Sequence, residues 1–378
     1  MKEELIETKV DYRFISLEGS YYEVGFQLGN KLSEDKQLYP NILTDPFTPK
    51  KTGFASFKEM LDFIETYCPG IKEETQGLAD GLNEPLERVA FSKYLIPNFK
   101  QSSCSQFFIH PSITEDGSIY LGRNYDYHPD DEDLILLRTK VKGSYSHIGF
   151  SLQGLGRAEG LNSKGLVISM TGGGAFDAPT TNYKSFNYCL AIRALLDNCK
   201  TVQSAVDMLL EMPIYSSTIY LIADNTGNAA LVEGIDSKFA VKILNEDPSE
   251  QFIISTNHYN HSDLVSYNKY VNPWIWPSSH KRYSIIESKI KSFMPNITED
   301  KALEILSKEI PDGVCALFFS EWFGTLWSIL FEIKTGSADI CFGPPTINPY
   351  YHFNMKNPRD DKDYVVVLTN KLSSDSSS

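Results

Sequence analysis

The chain contains no apolar run of the roughly 18 residues that a membrane-spanning helix requires. It also has no Cys-x-x-Cys pair. Its six cysteines (Cys68, Cys104, Cys189, Cys199, Cys315 and Cys341) are scattered, which argues against both a zinc knuckle and a disulfide framework. Basic residues are the minority: 35 Lys and Arg face 49 Asp and Glu, for a net charge of -14. Long-range repulsion then disfavours nucleic acid and anionic membrane surfaces as partners. The opening Met-Lys-Glu-Glu-Leu-Ile-Glu carries acids where a signal peptide carries bases, so the expected compartment is the cytoplasm. Gly172-Gly173-Gly174 lacks the lysine and hydroxyl residue of a phosphate loop and reads as a flexible loop. His258 and His261 stand three apart with no third ligand in view. Neither a metal nor a cofactor is expected.

What is present is ample core material, 42% hydrophobic and 12% aromatic. The first hundred residues read mainly as helices: 22–32, a pair around Phe57–Ile64 and Ile71–Leu82, and 84–96. From about residue 102 short β-type runs take over, beginning with a hairpin of 106–109 and 118–121 across Glu115-Asp116-Gly117. Further strands are expected at 134–141, 147–152, 166–170, 219–223, 229–233, 239–244, 252–255, 326–333, 338–341 and 364–368. Helices interrupt at 186–198, 201–211 (with Thr201 as N-cap), 279–293 and 298–310. Antiparallel sheets covered by helices, a layered α+β protein, follow from this order.

Most of the cysteines sit among apolar neighbours and read as small buried hydrophobes. Cys104, in Gln101-Ser102-Ser103-Cys104-Ser105-Gln106, stands in a polar run at the mouth of a strand, where a thiol can react. If the bond between Ser103 and Cys104 is cut, Cys104 carries both a thiol and a free α-amine. That amine has a reference pKa of roughly 8, so it can serve as general base and then general acid without any histidine. The return strand brings Gly122-Arg123-Asn124-Tyr125-Asp126. Arg123 would favour the thiolate and anchor a polar group of substrate, and Asp126 would hold the α-amine toward the sulfur. Strand alternation puts positions 123 and 126 on opposite faces, so a bend or bulge after Asn124 is expected. As a plainer reading, the two form only a structural ion pair.

Cys104-Ser105-Gln106-Phe107 followed by Gly122-Arg123-Asn124-Tyr125-Asp126 resembles the N-terminal-nucleophile hydrolases, in the group of choloylglycine hydrolases and penicillin (isopenicillin N) acyltransferases. Gly160-Leu161-Asn162-Ser163-Lys164-Gly165-Leu166 and Ser255-Thr256-Asn257-His258 are similar to two later motifs of that group, and Gly19 to Gly29 and Pro69-Gly70-Ile71 to its opening. The resemblance implies a four-layer αββα sandwich. It implies a helical pro-segment at 1–103 that stays bound as an α chain and a catalytic domain at 104–372; the Ser-rich run 373–378 reads as a disordered tail from its composition. It implies Cys104 as nucleophile and base, Arg123 and Asp126 as its positioning pair, Asn257 as oxyanion donor and Arg282 as a supporting cation. Where the bile-salt enzymes carry an asparagine this chain has Thr171-Gly172, so the second oxyanion donor toward substrate is either a backbone N–H near Thr171 or Gly172 or missing.

The implied activity is hydrolysis of a non-peptide linear amide through a Cys104 thioester, with a small N-acyl amide as partner. Transfer of the acyl group to an amine, a papain-like Cys–His hydrolase and a non-catalytic scaffold are the alternatives. A homo-oligomer is compatible with everything in the sequence.

Overall fold

The computed structural model describes residues 6–34, 43, 53–89, 103–175, 178, 184–214, 216–244, 250–320, 323–357 and 359–370. Two sheets face each other. The larger has ten strands, in the order Lys238–Ile243, Ala229–Ile235, Thr218–Ala223, Val167–Gly172, Gly160–Asn162, His147–Leu152, Ile135–Val141, Ile6–Gly19 and Lys362–Asn370, with Gly156–Arg157 paired to His147–Leu152. The smaller has seven: Phe252–Ser255, Ser105–Ile109, Tyr120–Tyr127, Phe323–Glu332, Ser337–Phe342 and Tyr350–Asn354, with Leu317–Phe318 beside Phe323–Glu332. Helices Tyr188–Asn198, Val202–Glu211 and Tyr21–Ser33 cover the outside of the larger sheet, and Ile71–Leu82 packs on Tyr21–Ser33. Ile275–Phe293 and Glu299–Ser307 cover the smaller one. This is the expected αββα sandwich, antiparallel except where Ile6–Gly19 runs parallel to Ile135–Val141.

Between the sheets lies an aromatic core. Trp327 is stacked between Tyr125 and Phe150, each at 4.1 Å between ring centroids, geometry that adds to the area these rings bury. The Asn162 turn closes the second hairpin as its sequence suggests: Asn162 Oδ1 accepts from Lys164 N and Leu166 N, and Gly165 sits at φ +78°. Thr201 caps its helix by accepting from Ser204 N.

The segment ahead of Cys104 departs from a purely helical leader. Ile6–Gly19 is a 14-residue strand, paired with Lys362–Asn370 on one side and Ile135–Val141 on the other. Its helices Tyr21–Ser33 and Ile71–Leu82 pack with little space between them. A Cβ on Gly25 would meet Glu74 O at 2.0 Å, and one on Gly77 would meet Tyr22 O at 2.0 Å. Thus the two glycine-bearing motifs of the leader face each other. Charge also ties this segment to the helix Tyr188–Asn198: Arg193 Nη1 and Nη2 donate to Glu74 Oε1 and Oε2 at 3.0 Å each, and Nε donates to Asp197 at 2.9 Å, all buried. Of the helix expected at 84–96 and the tail at 373–378, residues 90–96 and the whole tail lie outside the described residues. Among the described residues, no helix is long and apolar enough to cross a membrane.

Candidate active site

Cys104 directly precedes the strand Ser105–Ile109, which pairs antiparallel with Tyr120–Tyr127, Gln106 opposite Arg123 and Ser105 opposite Asn124. That register brings the return strand's Arg123 and Asp126 to the cysteine. The loop after Phe252–Ser255 supplies Asn257, and the helix Ile275–Phe293 supplies Arg282. All five expected residues therefore meet in one place, each no more than 1% exposed.

The backbone around position 104 is held at several points. Cys104 N donates to Asn257 Oδ1 at 3.1 Å. Arg282 donates through Nη1 to the Cys104 carbonyl and, at 2.8 Å, to Ser105 Oγ. Its Nη2 donates to Asn257 Oδ1 at 2.7 Å. The helix position of Arg282 suggests a residue at the periphery, yet the structure buries it against the cysteine's own peptide. Ser103 N donates to the Asp126 carbonyl at 3.2 Å. The side chain that holds the Cys104 nitrogen is therefore Asn257 rather than Asp126.

Asp126 keeps one oxygen uncommitted. Thr325 Oγ1 donates to its Oδ1 at 2.7 Å, while buried Oδ2 has no partner. Burial pushes this carboxyl up to about 7, against the pull of Arg282, the Thr325 hydroxyl and Arg123. The Cys104 thiol is pushed up to about 11, again first by burial. Arg123, an Asp126 backbone hydrogen bond and Arg282 pull it down, and the Asp126 carboxylate pushes it further up. A thiol at that value is protonated near neutrality and needs a base to become a nucleophile.

The return strand runs unbroken from Tyr120 to Tyr127, and the expected irregularity lies across the ladder. Asp126 pairs with Thr325 and Tyr125 with Trp327, so Leu326 is an extra, bulged residue on the neighbouring strand. Arg123 does not pair with Asp126. It lies 2.7 Å from Glu159 Oε2, both side chains fully buried, with its guanidinium over the Tyr125 ring at 5.0 Å. Arg123 Nη1 and Glu159 Oε1 have no hydrogen-bond partner. Burial raises the Glu159 carboxyl, and Arg123 draws it back down.

Gly172 and Thr171 lie against the Asn257 loop. Asn257 Nδ2 donates to the Gly172 carbonyl at 2.9 Å. Thr171 Oγ1 donates to the Thr256 carbonyl at 2.6 Å and bonds Ser255 Oγ at 3.0 Å. Ser279 Oγ accepts from Asn257 N at 2.8 Å, fixing the other side of the loop. Gly172 to Gly174 are buried and packed, not a flexible loop: a Cβ on Gly174, at φ +77°, would sit 2.5 Å from the Asn257 carbonyl. His258 is buried too, bonded to Ser279 at 2.7 Å and stacked on His280, and burial lowers its pKa to about 4. No imidazole hydrogen-bonds to Cys104 among the described residues, and no cluster there could hold a metal ion.

Comparison with known proteins gives this arrangement its context. The family model for acyl-coenzyme A:6-aminopenicillanic acid acyl-transferase matches residues 113–346, more than half of the chain. The chain belongs to this acyl-transferase family. The matched stretch holds Arg123, Asp126, Asn257 and Arg282 and begins just past Cys104. An uncharacterized protein of Archaeoglobus fulgidus is 23% identical, over 77% of this chain and 56% of that protein, so the chain spans little more than half its relative's length. Similar solved structures include a mutant conjugated bile acid hydrolase from Clostridium perfringens, at 14% identity, covering 69% of this chain and 96% of that one, TM-score 0.47. Another is the Caenorhabditis elegans ortholog of N-acylethanolamine-hydrolyzing acid amidase, at 20% identity, covering 61% and 93%, TM-score 0.43. Penicillin V acylase from Agrobacterium tumefaciens is similar at 17% identity, covering 67% and 87%, TM-score 0.45. Likeness of this degree carries no functional weight by itself.

Two groups around the cysteine escape a reading of the sequence. Glu159 offers one signal, a lone acid in the apolar run Leu155-Gly156-Arg157-Ala158-Glu159-Gly160-Leu161, where a buried charge demands a partner. Thr325 offers none.

Proposed function

We propose that this protein is a self-processing cysteine hydrolase of linear amides, with Cys104 as nucleophile. The observation that carries the reading is that the nitrogen to be freed is already gripped: Cys104 N donates to Asn257 Oδ1, and Asp126 Oδ2 is buried with no hydrogen-bond partner. In processing, Cys104 Sγ attacks the Ser103 carbonyl carbon. The C–S bond forms, the C–N bond breaks, and the thiol proton ends on the departing nitrogen. Water then hydrolyses the thioester, leaving a Ser103 carboxylate and a Cys104 with free thiol and amine. Asp126, held near neutrality, is the group able to take and return that proton in the uncut chain.

In turnover the α-amine takes the thiol proton, the sulfur attacks a substrate amide, and the α-ammonium protonates the leaving amine. Asn257 uses one Nδ2 hydrogen on Gly172, which leaves the second for the oxyanion; one such donor is worth about 3 kcal/mol. Arg123 and Arg282 favour the thiolate. Residues 1–103 remain bound as the α chain, because Ile6–Gly19 is bonded into the sheet along both edges. The partner is a small N-acyl amide. A papain-like mechanism would need an imidazole on Cys104, and none hydrogen-bonds to it among the described residues.

The family's description favours a second reading, in which an amine rather than water resolves the thioester. The experiment is to incubate the enzyme with a graded series of N-acyl amides, with and without an excess of competing amine. Free acid as the product supports the hydrolase and conjugate the transferase. If Cys104→Ala releases product as fast as the parent, both readings fall.

A further inference from the structure

The bulge opposite Asp126 is fastened from the far side of the molecule. A bulged residue drops out of the ladder, so its polar groups need other partners when buried. Leu326 is buried, and its carbonyl accepts two donors: Gly343 N at 2.7 Å and Tyr12 Oη at 2.7 Å. Tyr12 lies in the leader strand Ile6–Gly19, in the opposite sheet and 314 positions away in sequence. Its ring is fully buried, with Phe342 and Phe150 at 5.6 Å and 6.5 Å.

Next to Leu326 stands Thr325, whose hydroxyl is the donor on Asp126 Oδ1. Thr325 is itself bonded by backbone and side chain to Ala316: Thr325 N donates to Ala316 O, and Ala316 N to Thr325 Oγ1, both at 2.9 Å. One Thr325 hydrogen is therefore available, and the placement of the bulge decides whether it reaches Asp126. We infer that Tyr12 is a positioning residue for Asp126, acting across the sandwich through the Leu326 carbonyl and Thr325. The leader thus contributes to the catalytic centre as well as to the sheet, and because its strand is held along both edges, Tyr12 stays in place after a cut before Cys104. This inference rests on the proposed role of Asp126.

The test is a double-mutant cycle on the rate of cutting before Cys104, followed across pH in freshly refolded full-length chain. One buried hydrogen bond predicts a loss of roughly fivefold for Tyr12→Phe. Its pH midpoint should move up, because a weaker Thr325 bond leaves the Asp126 carboxylate less favoured. In a Thr325→Val background the same change should add almost nothing. Phe14→Leu, on the same strand and face, controls for general loosening and should leave the rate of folded molecules unchanged. An unmoved pH midpoint in Tyr12→Phe, or a full fivefold loss on top of Thr325→Val, overturns the inference. If Tyr12→Phe does not fold, a ring-fluorinated tyrosine at position 12 keeps a stronger donor and must cut no slower than the parent. Should the parent chain never be cut, the proposed function fails separately. The link is then read in Cys104→Ala, where Tyr12→Phe must still shift the Asp126-dependent pH profile of stability.

Discussion

Replacing Asp126 with Asn should make the uncut chain more stable, and more so as pH rises. Cys104→Ala gives a background in which both proteins stay in one piece. Asp126 is buried, and its carboxyl is raised from 3.8 to about 7. The folded chain therefore binds that proton more tightly than the unfolded chain does. Its contribution is favourable below about pH 4 and is lost as pH rises through about 7. At roughly 1.36 kcal/mol per pH unit, the ionised carboxylate costs up to about 4 kcal/mol by pH 8. Asparagine keeps an oxygen for Thr325 and carries no charge, so it escapes that penalty. The assay is urea unfolding of Cys104→Ala with and without Asp126→Asn, at pH 5 and pH 8. The gap should widen by about 2 to 3 kcal/mol in favour of Asn between those two conditions. A gap independent of pH would refute the reasoning, because it would mean that Asp126 does not carry a raised pKa. With Cys104 restored, Asp126→Asn should slow cutting, so stability and function move in opposite directions.

Three further outcomes are expected. Glu159→Gln leaves the buried Arg123 without its counter-charge, so unfolding should become easier by about 3–5 kcal/mol. The undivided field of Arg123 should then shift the midpoint of Cys104 alkylation to lower pH, read by mass spectrometry. Gly174→Ala puts a methyl 2.5 Å from the Asn257 carbonyl at φ +77°, so it should lose about 1–3 kcal/mol and displace Asn257. Its processing rate, followed on gels, should fall at least roughly tenfold. Arg193→Met strands Glu74 at the junction of leader and catalytic half, costing about 3–5 kcal/mol in a chemical melt. In a cut sample it should also let the two pieces separate at lower urea.

Much of the sandwich is legible because its strands carry period-two or wholly apolar runs between Gly and Asp turns, as at Ala229–Ile235 and Thr218–Ala223. Thr201 and Thr298 mark two helix starts by capping alone. The leader strand is the main departure, though its signal is there: Val10, Tyr12 and Phe14 alternate with Asp11 and Arg13. A helical leader passes over that alternation. At the site, the grouping of Cys104, Arg123, Asp126, Asn257 and Arg282 is what the family resemblance implies. Which atom holds which does not. That Asn257 grips the Cys104 nitrogen, that Arg123 answers Glu159, and that the bulge falls at Leu326 all depend on contacts between residues distant in sequence. No local pattern encodes such pairings. The glycines at 172–174 illustrate the same limit, since tight packing and looseness call for the same residue.

The most direct test of the central claim is the intact mass and N-terminal sequence of freshly purified, catalytically competent protein. The account predicts two tightly associated polypeptides, the larger beginning Cys104-Ser105-Gln106. A preparation that cleaves amides at full rate as one continuous chain, its Cys104 nitrogen still acylated by Ser103, would contradict it.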